Sequence, residues 1–247
     1  LSTISTGLIV PSKFFDLAKE GKDFHMFAPH TIYKEYGLTL DDINLDEYYD
    51  ELVANPNIDK KKKDAREMLN TIAQTQLQSG YPYLMFKDNA NKVHANSDIG
   101  QIKMSNLCTE IFQLQETSII NDYGTEDEIK RDISCNLGSL NIVNVMESGK
   151  FKDSVHTGMD ALTVVSDEAD IQNAPGVRKA NRELHSVGLG VMNLHGYLAK
   201  NKIGYESEEA KDFANIFFMM LNYYSIERSM EIAKERQEVY KDFEQSD

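Results

Sequence analysis

The sequence predicts a mixed α/β fold, and three observations carry that expectation. Residues 3–10 (T-I-S-T-G-L-I-V) form a β-branched, aliphatic run closed by Pro11 and followed at once by an amphipathic helical pattern. Two further apolar stretches, residues 81–86 and 133–143, are separated by long polar connections. From Gly158 onward, apolar residues recur at the three-to-four spacing of helices.

Taken in order, the first run reads as a buried strand of the parallel type, because neither face alternates to polar residues. Ser12 is positioned to cap the helix that follows. Phe14, Phe15, Leu17 and Ala18 supply its apolar stripe and Gly21 its end. Residues 23–57 give a weaker signal, with short apolar groups between Pro29, Gly37 and Pro56, and are expected to form loops and a short helix. Asp59 then opens a helix with Ala65, Met68, Leu69, Ile72, Ala73 and Leu77 on one face, stopped by Gly80, so the lysines at 60–63 fall in its first turns as a solvated face. Residues 81–86 (Y-P-Y-L-M-F) read as a second strand, left through the polar Lys87-Asp88-Asn89-Ala90-Asn91. Residues 133–143 read as a third. The loops around 87–105 and 111–132 are longer than compact domains use without a functional reason, and both cysteines lie beside them. Helices are expected over 158–171, over 177–200, and from Ser207 onward. In the last, Glu208 and Glu209 occupy the first turn, and Phe213, Ile216, Phe217, Met220, Leu221 and Tyr224 form one face. With no internal repeat, low-complexity tract or linker, one domain or a piece of one is the simplest organisation. The start at Leu1 and the stop at Asp247 suggest part of a longer product.

Composition excludes several classes. The net charge of -14 repels a phosphate backbone, so polymeric nucleic acid is not expected as a partner. The longest apolar run, residues 216–221, is six residues against the roughly 20 of a membrane span. Two cysteines in 247 residues, with no secretion signal, point to a reducing, cytoplasmic setting. The six histidines show no metal-ligand spacing, so no metal is expected on this chain. Gly188-Leu189-Gly190-Val191-Met192-Asn193 begins like a dinucleotide fingerprint. However, Asn193 stands where the third glycine belongs and the segment sits in a helical pattern.

Asn106, Cys108 and Glu110 alternate, and on extended backbone their side chains point to one side. That would gather a thiol, a proton acceptor and a hydrogen-bonding amide within reach of one substrate. Alone, the pattern also suits a buried cysteine between two surface polar residues. Cys135, likewise, is either a small strand residue or a redox thiol needing a partner cysteine nearby.

Three ordered segments decide between these readings. S-G-Y-P-Y-L-M-F-K-D-N-A-N (79–91), G-Q-I-K-M-S-N-L-C-T-E-I (100–111) and S-C-N-L-G-S-L-N-I (134–142) closely resemble the catalytic core of the large subunit of class I ribonucleoside-diphosphate reductases, most of all the bacterial class Ib branch. The likeness extends through H-S-V-G-L-G-V-M-N-L-H-G (185–196) and back to S-T-G-L-I-V. The resemblance implies part of a ten-stranded α/β barrel whose central finger loop carries a radical cysteine, with residues 1–247 as one barrel segment. It implies reduction of ribonucleoside diphosphates to 2'-deoxyribonucleoside diphosphates, the precursors of DNA.

By the same resemblance, Cys108 is the transient thiyl radical that takes the 3' hydrogen of the substrate ribose, held inside the barrel. Glu110 is the base for the 3' hydroxyl proton, shielded from water. Asn106 is the orienting amide, and Asn106, Leu107, Cys108, Thr109 and Glu110 line the substrate. Cys135 matches one member of the dithiol that supplies two electrons and ends as a disulfide; its family partner lies on a strand upstream of this chain. The implied partners are a metal-containing, radical-generating small subunit in an α2β2 assembly and a thioredoxin- or glutaredoxin-type reductant. No cofactor is expected on this chain, and the nucleotide effector sites are expected outside it. The phosphate-binding loop, tyrosine pair and C-terminal shuttle cysteines of the family find no match here. Tyr223-Tyr224 reads as core packing. By itself the chain is expected to be inactive; a truncated product acting only as an assembly piece is the alternative. A glycyl-radical enzyme would need a C-terminal glycine motif that this sequence does not contain.

Overall fold

The computed structural model describes residues 4–246, which divide into two compact units. One runs to Thr117 and takes in the residues from Glu244; the other is Ser118–Phe243. Both mix helices with short strands, and the strands form three two-stranded sheets. Thr3, the start of the expected first strand, lies outside the described residues.

In the first unit, β1 (Gly7–Ile9) leads through Val10 and Pro11 into α1 (Ser12–Glu20). The strand pairs in parallel with β4 (Tyr83–Met85), Leu8 opposite Leu84. Gly7 and Ile9 are exposed, so the two-sided burial expected of a parallel strand is not supplied by the described residues. The cap on α1 also differs from expectation. Pro11 is the N-cap residue, Ser12 is already helical, and the Lys13 amide is met by Asp46 Oδ1 at 2.8 Å. Gly21 closes the helix at φ 68°, as its position predicted.

Residues 23–57 are more ordered than their sequence signal. They form β2 (Asp23–Phe27), α2 (Pro29–Tyr36), a 3₁₀ turn at Leu40–Asp42 and α3 (Leu45–Ala54). Each element is short and contributes only one or two deeply buried side chains, Ile32 from α2 and Tyr49 and Leu52 from α3, too few for a clear period. The lysine run is a strand, not a helical turn. β3 (Lys60–Asp64) pairs antiparallel with β2, and α4 (Ala65–Ser79) begins only after Asp64, whose carboxylate caps it through the Glu67 amide at 2.7 Å. Tertiary demand overrides lysine's helix propensity here. Phe24 and Phe27 on β2 belong to the core and their strand needs a partner; Lys61, Lys62 and Lys63 are exposed, Lys62 pairing with Asp23, while the half-buried Lys60 donates to the carbonyls of Leu52 and Asn55. Phe14 meets Phe24 edge-on at 5.2 Å and Phe24 stacks on Tyr49 at 5.3 Å, at the centre of this core. After β4, Lys87–Asn91 turns as α5 (Lys87–Asn91) rather than leaving as a loop.

In the second unit, β5 (Leu137–Asn141) runs into α6 (Ile142–Ser148) and α7 (Phe151–Glu168), then α8 (Pro175–Leu184), β6 (Gly188–Met192), α9 (Leu194–Lys200) and α10 (Glu208–Arg236). The helix expected over 177–200 is therefore broken by a strand. β6 is parallel to β5, with Leu137 opposite Gly188 and Asn141 opposite Met192. Its glycines lie within the strand and not in a strand-to-helix turn, a second reason why this segment is no dinucleotide fingerprint. A Cβ at Gly158 on α7 would come within 3.1 Å of Leu189, so that glycine admits the helix onto the sheet. Ile142, Val155, Phe217 and Leu221 form the core. Ser207 caps α10 through the Ala210 amide at 3.1 Å, and Phe213 and Tyr224 pack inward as expected, Tyr224 against Phe151, whereas Ile216 and Tyr223, expected on the same face or in the core, are exposed. No helix of the described residues is long and apolar enough to cross a membrane.

Candidate functional site

Cys108 stands on the loop that connects α5 to the end of the first unit. The backbone there is a turn, not the extended chain that alternation assumed: the Thr109 amide donates to Asn106 O at 3.0 Å, with Leu107 and Cys108 at the corners. Thr109 then takes φ 65°. For a β-branched residue this left-handed backbone costs on the order of 1–3 kcal/mol and persists only where neighbouring bonds impose it. Asn106 imposes it. Its Oδ1 accepts from the Glu110 amide at 3.2 Å, the Ile111 amide at 3.1 Å and the Ser105 hydroxyl at 3.2 Å. Ser105 Oγ in turn donates to Ile111 O at 2.7 Å.

The same five residues that the sequence singled out thus make one tip, with Cys108 and Glu110 exposed. Shielding of the thiol and the carboxylate is not supplied by the described residues. Asn106 keeps its Nδ2 outside these three bonds, so it can offer a substrate a donor. The phenol of Tyr83 on β4 is pushed up, foremost by the neighbouring Tyr81 and then by burial, with Cys108 and Glu110 near enough to contribute, so the tip lies within electrostatic reach of that strand.

Below the tip, three successive residues are each held. Asn91, at the end of α5, pairs its carboxamide with both backbone groups of Ile102 at 2.8 Å. Lys103 bridges Asp41 at 3.1 Å and Asp42 at 2.6 Å. Gln115, buried, pairs with both backbone groups of Met104 at 3.0 and 2.6 Å. Nearby, Lys87 donates to the carbonyls of Asp41 and Ile43; burial pushes its ammonium down. A Cβ on Gly100 would stand 2.8 Å from Leu114 Cδ1, so a larger residue at the neck of the loop would require the Leu114 side chain to shift. Sequence reasoning missed this apparatus. Nothing in the spacing of residues 111–115 (I-F-Q-L-Q), where Gln113 and Gln115 alternate with apolar residues, marks Gln115 as the one that turns inward.

The Lys103 bridge carries a pH dependence. The Lys103 ammonium and the Thr39 hydroxyl hold the Asp42 carboxyl below its ordinary range, with burial opposing. A lowered folded pKa means the bridge's contribution is full above the unfolded value, about 3.9, and is lost as pH falls through the lower folded value. In an NMR titration from neutral pH downward, the Ile102 and Met104 amide shifts are expected to hold until below about pH 4. Movement centred on the ordinary carboxylate value would show that Lys103 does not hold Asp42.

Cys135 belongs to the second unit and is exposed, just before β5. Its neighbours Ser134 and Asn136 are buried and face Asn181 on α8. Asn181 Oδ1 accepts from Ser134 Oγ at 2.9 Å, Asn136 Nδ2 at 2.7 Å and Ser166 Oγ at 3.1 Å. Asn136 also donates to Ser186 O at 3.0 Å. Two inward anchors on either side leave the intervening thiol pointing outward. Among the described residues, no group of three or more His, Cys, Asp or Glu side chains could hold a metal ion.

The family described as "Ribonucleotide reductase, barrel domain" matches residues 1–247. The chain is 54% identical to the ribonucleoside-diphosphate reductase subunit alpha of Bacillus subtilis, covering all of this chain and 35% of that protein. It is 42% identical to the subunit alpha of Mycoplasma pneumoniae over 99% of this chain and 34% of the relative. For Treponema pallidum the figures are 28%, 92% and 29%. The chain therefore spans about a third of the length of the curated relatives it matches. With the match running over its whole length, the chain belongs to the ribonucleotide reductase barrel-domain family.

Proposed function

We propose that this chain is a catalytic segment of a ribonucleoside-diphosphate reductase alpha subunit, supplying the radical thiol and one reducing thiol. The observation that carries the reading is the tip at 106–110, where a thiol, a carboxylate and a carboxamide share one tightly bonded turn on an anchored stem. Cys108, as a thiyl radical, takes the hydrogen atom from C3' of the ribose and becomes a thiol. Glu110 takes the 3' hydroxyl proton. Asn106 donates through Nδ2 to orient the sugar. A fixed loop suits this step because hydrogen-atom transfer needs contact of roughly 3–3.5 Å. As the 2' hydroxyl leaves as water, Cys135 and a second cysteine beyond this chain give up two electrons and close a disulfide. A thioredoxin- or glutaredoxin-type dithiol restores them by exchange.

In this reading the chain forms part of a ten-stranded barrel, with the 100–115 loop as its central finger. The two parallel pairs, β1–β4 and β5–β6, suit such a sheet: parallel strands are normally flanked on both edges and covered on both faces. A metal-containing small subunit generates the radical, in an α2β2 assembly working in the cytoplasm. Effector nucleotides bind outside this segment.

The reading makes the 247-residue chain inactive alone. With small subunit, dithiol and ribonucleoside diphosphate, product is expected from the full-length alpha subunit and none from the isolated chain. Turnover by the isolated chain would show that the segments outside it are dispensable. No product from a full-length subunit of this sequence would overturn the function itself.

A further inference from the structure

The clamp on Met104 is unusual in kind. A side-chain carboxamide here behaves as a strand neighbour would: Gln115 Oε1 accepts the Met104 N–H at 3.0 Å and Nε2 donates to the Met104 C=O at 2.6 Å. Two parallel bonds to one residue fix rotation as well as distance, which a single bond cannot. Asn91 repeats the arrangement on Ile102, two residues earlier, where Ile102 is wholly buried. Gln115 itself is buried although it is neutral and polar, and both of its polar ends are satisfied by the backbone of one residue. The core would accept an apolar residue there at no loss of burial, so packing alone does not call for a glutamine. What the carboxamide adds is the register of the stem, four residues before the thiol.

We propose that Gln115 is a positioning residue for Cys108: its paired bonds to Met104, with those of Asn91 to Ile102, set where the thiol at the loop tip stands relative to substrate. This deepens the reductase reading above and rests on it. Gln115 touches neither substrate nor reacting atoms. A stem free to slip moves the thiol by a fraction of its own length, and a displacement of about 1 Å costs on the order of 10²-fold in rate.

The test uses the full-length alpha subunit with its small subunit, a dithiol reductant and a ribonucleoside diphosphate. In Gln115→Glu, the neutral acid reproduces the carboxamide, with its carbonyl accepting from the Met104 N–H and its hydroxyl donating to the Met104 C=O. The carboxylate cannot donate and opposes that carbonyl. The variant is therefore expected to approach wild-type kcat at low pH and to lose turnover as pH rises, a limb the wild type does not show, with KM for the nucleotide unchanged. Gln115→Met, similar in shape without the bonds, is expected to lose about 10²-fold in kcat at every pH. Because the Glu variant is compared with itself across pH, a Met variant that fails to fold leaves the test intact.

A Glu variant with the wild-type pH profile, or one whose loss falls on KM, overturns the proposal. Cys108→Ser run alongside separates the two readings. If that variant is inactive while Gln115→Glu follows the wild-type profile, only the positioning role fails. If Cys108→Ser turns over normally, the reductase reading itself fails.

Discussion

Replacing Cys108 by serine in the full-length alpha subunit is expected to abolish deoxyribonucleotide formation while leaving the protein folded and able to bind nucleotide. The side chain is exposed at the corner of a turn, where substitutions normally change stability by less than about 0.5 kcal/mol. The turn is held by Asn106, Ser105 and backbone groups, none of which involves sulfur. Serine is close to cysteine in size, and its more polar hydroxyl is hydrated at this exposed position, so orientation of the loop is retained. Under the proposed function what changes is the chemistry: an O–H bond is far stronger than an S–H bond, so a hydroxyl in place of the thiol could not carry the radical assigned to Cys108. The comparison is product formation against thermal unfolding for the two proteins. Loss of turnover at unchanged melting temperature supports the assignment. Retained turnover would remove Cys108 from the chemistry, and lost folding would mean that the thiol has a structural role the turn does not reveal.

How much of this was legible in the sequence differs between the tip and its supports. The tip was readable because N-L-C-T-E, S-C-N-L-G-S-L-N and S-G-Y-P-Y-L-M-F occur in order, and their likeness to one family named the residues individually. The path to it by alternation was wrong. Thr109 at φ 65° turns the chain, and the side chains of 106, 108 and 110 share a tip for a reason that period two does not contain. The existence of α4 and α10 was legible as well, although α4 begins only at Ala65 and Leu77 and Ile216, expected on the apolar faces, are exposed. Strand β3 was not, because four lysines carry no hydrophobic period and their pairing is dictated by Phe24 and Phe27 on the facing strand. Strand β6 was lost in a helical pattern because Leu189 and Met192 carry a helix-like spacing of three, whereas the residues that pack on the core, Leu189 and Val191, follow the strand period of two over a segment too short to show it. The supports were invisible for a different reason. Asn91, Gln115 and Asn181 act through backbone groups or polar partners distant in sequence, and a lone carboxamide has no spacing to announce it.

Asn181 is where that hidden layer is expected to matter most for stability. Its Oδ1 gathers three donors, from Ser134, Asn136 and Ser166, and its Nδ2 donates to Ser166 O, all out of contact with water. Asn181→Leu keeps the volume and removes every one of these bonds, leaving two hydroxyls, an amide and a carbonyl to make do with fewer partners in a buried site. At about 1–3 kcal/mol for each group left wanting, and with Asn136 still able to reach Ser186 O, the net loss is expected to be about 3–5 kcal/mol. Ser166→Ala removes one donor only and is expected to cost about 1 kcal/mol. The readout is amide hydrogen exchange in the full-length protein at Gly188, whose N–H donates to Asn136 O at 2.8 Å where β5 and β6 begin their pairing. Protection there is expected to fall by about two to four orders of magnitude in Asn181→Leu and by just under one in Ser166→Ala. Equal effects from both variants would mean that the oxygen of Asn181 is not the hub. An undiminished protection factor in Asn181→Leu would mean that Ser134 and Asn136 hold the Cys135 segment by themselves.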